Sequence, residues 1–226
     1  MILSPKKLII FDLDGTLIDS VPDLAAAVNH MLTELGYRAY DEHLIRLWVG
    51  NGAQTLVKRA LSGSVSIDET IDETHFMQAL NIFLTHYSKN LALHTKAYEN
   101  VVTTLQQLQK RGYRLAIVTN KPVEFVSPIL EALSLQQYFE YFIGGDSLPE
   151  RKPHPMPLLH VCEKLGTTVD EAVMIGDSKN DLLAANAAHM QSIGVTYGYN
   201  YDEEISVYDP DIIVDDFAEL LKYLVK

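Results

Sequence analysis

The sequence contains one cysteine, one tryptophan, and only 18 lysines and arginines against 30 aspartates and glutamates, a formal charge of −12. A lone Cys162 cannot form an internal disulfide, and none of the eight histidines lies in a zinc-type cluster with it. Its place in the apolar-periodic segment PLLHVCEKLG reads as a buried thiol rather than a nucleophile. The shortage of positive charge argues against a broad nucleic-acid footprint and against attachment to anionic membranes. No apolar stretch approaches the ~20 residues that span a bilayer. MILSPKKLIIF places only four apolar residues between Lys7 and Asp12, with no small-residue cleavage site, so no secretory signal is expected. A cytoplasmic protein, monomer or homodimer, is the expectation.

What is present is ample material for a core. With 226 residues, 47% of them hydrophobic and 21% charged, the chain is neither disordered nor low in complexity. Surface scaling for this mass predicts about 10,000 Å² exposed when folded, enough burial for one full core plus a small accessory domain.

Short apolar runs without in/out alternation read as parallel strands covered on both faces: LIIF (8–11), RLAIVT (114–119), AVMIG (172–176), SIGV (192–195) and DIIV (211–214). Helical patterns separate them at 98–112, 123–134, 155–166 and 178–188, with Gly112 and Gly166 where helix C-termini favour a left-handed residue. This alternation predicts a doubly wound α/β, Rossmann-like core. Residues 20–92 break it with consecutive helical patterns: SVPDLAAAVNHMLTELG with Ser20 as N-cap, DEHLIRLWV, GAQTLVKRAL and ETHFMQALNIFLTHYSK. The expected organisation is a discontinuous core (1–19 and 93–226) interrupted by an all-helical domain (20–92).

Ligands of open α/β sheets sit outside the carboxyl ends of the strands. LIIF runs into Asp12-Leu13-Asp14-Gly15-Thr16, LAIV into Thr119-Asn120-Lys121, VMIG into Asp177-Ser178-Lys179-Asn180-Asp181, and Lys152-Pro153-His154-Pro155 follows FIGG. If the sheet forms as predicted, all four clusters meet.

FDLDGTLIDS, VTNK, RKPHP and IGDSKND resemble, in order, the four motifs of the haloacid dehalogenase-like phosphatases, with the helical insertion in the position of their cap domain. The resemblance covers essentially the whole chain. Within that superfamily, WVGNGAQTLVKRAL, LAIVTNKP, RKPHPMPLL and VTYGYNY resemble the branch that hydrolyses 2-phosphoglycolate. The resemblance implies a Mg²⁺-dependent phosphomonoesterase for a small phosphorylated metabolite, with an aspartyl-phosphate on Asp12. Asp14 would protonate the leaving alkoxide and then activate water. Alternatives are another small phosphate ester, a nucleotide or pyrophosphate as substrate, or a sugar-phosphate mutase. From a different class comes a signalling module that stores an aspartyl-phosphate.

The chemistry sets its own demands. A carboxylate approaching a phosphate dianion costs roughly 9 kcal/mol at ~3.5 Å and an effective dielectric of about 20, so positive charge must offset it. Mg²⁺ on Asp12, Asp177 and the Asp14 carbonyl would do so, with Lys152 as a second positive charge. Asp181 fits three roles: metal ligand, partner of Lys152, or helix cap. Thr119, Asn120 and backbone N–H groups around Gly15 and Asn120 would hold phosphoryl oxygens.

Asp14 also separates phosphate-ester hydrolysis from dehalogenation, because a halide leaves without protonation. Thr16 is the residue that the resemblance associates with phosphatases. Gly50-Asn51-Gly52 reads as a turn between helices, and the resemblance adds closure over the substrate with N–H groups for its carboxylate. Trp48 and Leu47 read as packing residues, and Lys58 as solvated or ion-paired rather than imine-forming. Two positions depart from the family pattern: Asn100 in Tyr98-Glu99-Asn100-Val101, and His189, each where a glycine is usual.

Overall fold

Continuous apolar strands need cover on both faces, and the fold supplies it. The computed structural model describes residues 3–225. Its strands are β1 (Leu8–Phe11), β2 (Ile18–Asp19), β3 (Lys96–Ala97), β4 (Arg114–Val118), β5 (Tyr141–Ile143), β6 (Ala172–Gly176), β7 (Gln191–Val195) and β8 (Ile212–Val214). Six of them form one parallel sheet in the order β5-β4-β1-β6-β7-β8. Phe11 lies in register with Ile117 on one side and Ile175 on the other. The chain winds outward from β1 through β4 to β5, then crosses back to β6, which places the topological switch between β1 and β6.

Helices α1 (Val21–Glu34), α2 (Glu42–Arg46), α3 (Ala53–Ser62) and α4 (Glu73–Lys89) follow β2 and precede β3. Later come α5 (Val101–Lys110), α6 (Val123–Ala132), α7 (Met156–Lys164), α8 (Lys179–Ala187) and α9 (Leu220–Tyr223). Strand alternation sorts the two layers. Ile9 and Phe11 pack with Val101 and Leu105 of α5, Val126 of α6 and Leu220 of α9. Leu8 and Ile10 pack with Leu158 and Val161 of α7 and Ala184 of α8. Cys162 is buried in this second layer, where loss of solvation pushes its thiol up to about 11. The exposed area is 10271 Å², matching the compact expectation.

Chain crossings to and from α1–α4 run side by side. β2 and β3 pair antiparallel through Ile18–Ala97 and Asp19–Lys96. Within the insertion α1 packs chiefly on α4, with Trp48 fully buried edge-on against Tyr40 at 5.1 Å between ring centres. Asp41 and Asp72 cap α2 and α4 through the backbone N–H of His43 and His75.

Local expectations differ from the outcome in a few places. Ser20 precedes α1 but makes no cap bond, because its hydroxyl donates to Asp14 instead. DEHLIRLWV is helical only to Arg46, after which Leu47–Gly50 form a turn that carries Gly50 towards the sheet. Lys58 sits 4.6 Å over the Phe76 ring, a cation–π contact within the insertion. Asn100 (φ 63) and His189 (φ 54) both adopt the left-handed conformation expected of the glycines they replace, so the local path is kept. No helix among the described residues is long and apolar enough to cross a membrane.

Candidate active site

Three of the clusters begin where β1, β4 and β6, neighbours in the sheet, end, and the fourth lies on the loop after the edge strand β5, so sheet register brings them together. Asp12 follows β1, Thr119 follows β4, Asp177 follows β6, and Lys152 arrives on the loop beyond β5. Residues 12–18 close on themselves: Gly15 N–H donates to the Ile18 carbonyl and Leu17 N–H to the Leu13 carbonyl. Gly15 has φ +89, and a Cβ there would fall 2.1 Å from an Asp177 carboxylate oxygen. Only glycine both makes this turn and leaves space for that carboxylate.

Lys152 is the hub. Its ammonium, with the side chain 1% exposed, lies 3.0 Å from Asp12 Oδ1 and 2.6 Å from Asp181 Oδ1, and donates to the Val118 carbonyl at 2.5 Å. Burial works against its charge, but Asp12 and Asp181 outweigh it and hold Lys152 above the ordinary lysine value. Asp181 does two of the tasks expected of it. One oxygen meets Lys152, and the other accepts from Ser178 N–H and Oγ in a capping box at the start of α8.

Asp12, Asp177 and Asp181 each offer an oxygen, all within 4.8 Å of one another and all buried. Burial, then the neighbouring negative charges, pushes Asp12 up to about 7 against the pull of Lys152. Asp177 is raised well above the ordinary carboxylate range by burial and by Asp181 and Asp12, although Thr16 Oγ1 (2.6 Å) and Tyr199 N–H (2.6 Å) donate to it. Three clustered buried carboxylates, two of them on one ammonium, form an uncompensated site of oxygen ligands. That donor set fits a hard divalent cation.

Asp14 points elsewhere. Both its oxygens accept from Lys121 Nζ, at 2.9 and 3.0 Å, and Oδ1 also accepts from Ser20 Oγ at 2.5 Å. Sequence reasoning assigned no role to Lys121 or to Ser20 beyond capping. The signal for Lys121 was its adjacency to Thr119-Asn120, while nothing local marked Ser20.

A small cavity of about 40 Å³ joins Asp12, Asp14, Thr119 and Lys121 to Gly50 and Gly52 of the insertion. Leu24, Leu56, Phe83, Tyr87 and Phe125 complete an apolar wall. Asn120 is placed here too, with Nδ2 donating to the Gly50 and Lys152 carbonyls (3.1 and 3.0 Å) and its buried Oδ1 accepting no hydrogen bond among the described residues. Asn51 accepts from the Tyr201 hydroxyl at 2.6 Å and donates to Asn180 at 3.2 Å. Asn180 lies in IGDSKND and Tyr201 ends VTYGYNY, but nothing in the sequence pairs either of them with Asn51.

A doubly wound parallel sheet, with a buried carboxylate–lysine cluster at its switch point and a helical insertion over it, defines the Rossmann-like class of aspartate-cluster proteins. Residues 9–195 match the haloacid dehalogenase-like hydrolase family, and the chain belongs to it. It is 51% identical over 221 residues to the phosphoglycolate phosphatase of Colwellia psychrerythraea, covering 98% of each chain. It is 50% identical to that of Psychrobacter arcticus, covering 98% of this chain and 96% of the relative. Among solved structures, a predicted phosphoglycolate phosphatase from Haemophilus somnus superposes with a TM-score of 0.90 at 41% identity, covering 97% of this chain and 98% of the other.

Proposed function

We propose that this chain hydrolyses 2-phosphoglycolate to glycolate and phosphate, with Mg²⁺ as cofactor and an aspartyl-phosphate on Asp12. The observation that carries the reading is the meeting of Asp12, Asp14, Lys152 and Asp177 beside the Gly50–Gly52 loop. Relatives at 51% and 50% identity carry the name phosphoglycolate phosphatase. Residues 20–92 serve as a cap on the core of 1–19 and 93–226.

In the first step an Asp12 oxygen bonds to phosphorus as the bond to the glycolate oxygen breaks, and Asp14 gives its proton to that leaving oxygen. In the second, water attacks the aspartyl-phosphate, Asp14 takes the water's proton, and the bond to Asp12 breaks to release phosphate. Lys152, 3.0 Å from Asp12, offsets negative charge throughout. Asp12, Asp177 and Asp181, with the Asp14 carbonyl, would hold Mg²⁺, which when bound offsets the charge of the carboxylates and the phosphoryl group. Thr119 and backbone N–H groups near Gly15 and Asn120 steady the phosphoryl oxygens. Gly50, Asn51 and Gly52 close the side from which the carboxylate end enters.

The close approach of Leu24, Leu56, Phe83, Tyr87 and Phe125 around the cavity favours a substrate of few atoms over a nucleotide. A module that stores its phosphoryl group would not place Asp14 beside Asp12. The test is Mg²⁺-dependent phosphate release from a panel containing 2-phosphoglycolate, p-nitrophenyl phosphate, pyrophosphate, a nucleotide and a hexose phosphate. A tenfold or greater preference for another ester would sink the substrate assignment. Asp12→Asn should abolish turnover with the fold intact, and near-normal turnover would remove the nucleophile assignment.

A further inference from the structure

The loop after β7 reads Tyr197-Gly198-Tyr199-Asn200-Tyr201, and its tyrosines reach three successive parts of the site. Tyr197 Oη donates to the Thr16 carbonyl at 2.8 Å, beside Asp177. Tyr199 Oη donates to Asp19 at 2.5 Å and accepts from Ser20 N–H at 3.0 Å, at the chain crossing into the insertion. Tyr201 goes furthest. Its hydroxyl donates to Asn51 Oδ1 (2.6 Å) and accepts from Asn180 Nδ2 (3.1 Å), while Asn51 Nδ2 donates to Asn180 Oδ1 (3.2 Å). The three side chains form a closed hydrogen-bonded ring, one member from the insertion and two from the sheet domain.

That ring holds the loop beside the cavity. Asn180 Nδ2 also lies 3.2 Å from the Gly50 carbonyl, which accepts from Asn120 as well. A Cβ on Gly50 (φ +119) would fall 2.6 Å from the Tyr201 hydroxyl, so a side chain at Gly50 is incompatible with the contact. The Tyr201 ring is shared between a cation of the insertion and one of the sheet domain: Arg59 on α3 at 5.3 Å and Lys179 on α8 at 4.7 Å. Tyr201 (φ 55) and Asp202 (φ 59) are consecutive non-glycine residues in left-handed conformation. Such strain persists where surrounding contacts impose it and is concentrated at functional sites.

We propose that Tyr201 is a positioning residue for the reaction: through Asn51 it fixes the Gly50–Gly52 loop over the phosphoryl subsite, so that the cavity is closed when substrate is bound. The proposal rests on the phosphatase reading above. Tyr201 makes no hydrogen bond to the carboxylate cluster and meets the cavity only through the loop at Gly50, so its effect falls on the population of the closed arrangement rather than on the chemical step.

The test uses the full-length Mg²⁺-loaded protein and Tyr201→Phe, which keeps the ring between Arg59 and Lys179 and removes only the hydroxyl. Two readouts are followed. With 2-phosphoglycolate, KM should rise about tenfold, as expected for the loss of one or two hydrogen bonds, while kcat at saturation stays within threefold. Acrylamide quenching of Trp48, the sole tryptophan, should increase at least twofold, because Trp48 stands two residues before Gly50 in the Leu47–Gly50 turn that the Tyr201–Asn51–Asn180 ring holds. Asn51→Ala, which breaks the ring from the other side, should reproduce both effects, and the double variant should add little to either. It also decides the matter if Tyr201→Phe fails to fold. Unchanged KM and unchanged quenching would overturn the proposal, as would a fall in kcat with KM unchanged. If the wild type does not turn over 2-phosphoglycolate, the substrate reading fails and Trp48 quenching in the two variants alone decides the role of Tyr201.

Discussion

Lys121 holds both carboxylate oxygens of Asp14, at 2.9 and 3.0 Å, from the loop of a neighbouring strand. Its ammonium also lies 5.0 Å from the centre of the Tyr87 ring, so the pair is clamped from the insertion as well. Because the side chain of Lys121 is 3% exposed, solvent cannot replace it if it is lost. Lys121→Met should therefore lower kcat by about 10- to 100-fold, a part of the 10²–10⁴ that general acid–base catalysis supplies. The loss should be smaller for p-nitrophenyl phosphate, whose leaving group needs little protonation. An equal loss on both substrates would show that Lys121 does not act through Asp14.

A metal ion at this cluster would compete with protons for the same carboxylates. In the metal-free protein Asp12 is held up at about 7 by burial and by neighbouring negative charge, against an ordinary value near 3.9 when unfolded. A raised carboxyl binds its proton more tightly in the folded state. Its contribution to stability is complete below about pH 4 and is lost as pH rises through 7. Metal-free protein should thus melt at lower temperature at pH 8 than at pH 5.5. Mg²⁺ at 100 times its Kd should restore about 2.7 kcal/mol at pH 8, roughly 5–10 °C, and clearly less at pH 5.5. Equal Mg²⁺ shifts at the two pH values, followed by calorimetry, would contradict the assignment of the cluster as a metal site.

Asp23 ties the first turn of α1 to the return linker. It is 2% exposed and accepts from His94 N–H, Thr95 N–H (2.8 Å) and Thr95 Oγ1 (2.7 Å). Asp23→Ala leaves the buried Thr95 N–H without its acceptor and frees the linker at His94, and should cost about 2 kcal/mol. Urea denaturation measures this directly, and a loss below about 1 kcal/mol would show that the linker finds other partners.

His189 offers the opposite sign. It is exposed and sits at φ 54 after α8, where a side chain costs about 1–2 kcal/mol relative to glycine. Greater freedom of glycine in the unfolded chain returns part of that gain. His189→Gly should raise stability by about 0.5–1 kcal/mol without altering turnover. A lowered urea midpoint would mean that the imidazole makes a compensating contact.

Much of the fold was legible because its signals are local. LIIF, RLAIV and AVMIG are buried on both faces, so each reads as an unbroken apolar run, and their C-terminal neighbours had to converge once the strands aligned. Asp12, Lys152, Asp177 and Asp181 followed from that alignment. Strands β2 and β3, two residues each, are too short to carry any period. Ser20 matched a helix cap by type and place, yet the buried Asp14 carboxylate claimed its hydroxyl. The Lys121–Asp14 and Tyr201–Asn51 pairs join residues 107 and 150 positions apart. Only the packed arrangement of loops selects such partners, and composition at either end does not mark them.

The two-rung ribbon of Ile18–Ala97 and Asp19–Lys96 has a bearing on how such proteins diversify. Since departure and return share a single ladder, everything between them can lengthen, shrink or be traded as a cassette while the six-stranded register stays as it was. Chemistry and recognition are thereby inherited on separate terms: the sheet preserves the reaction, and the cassette is free to drift towards a new molecule.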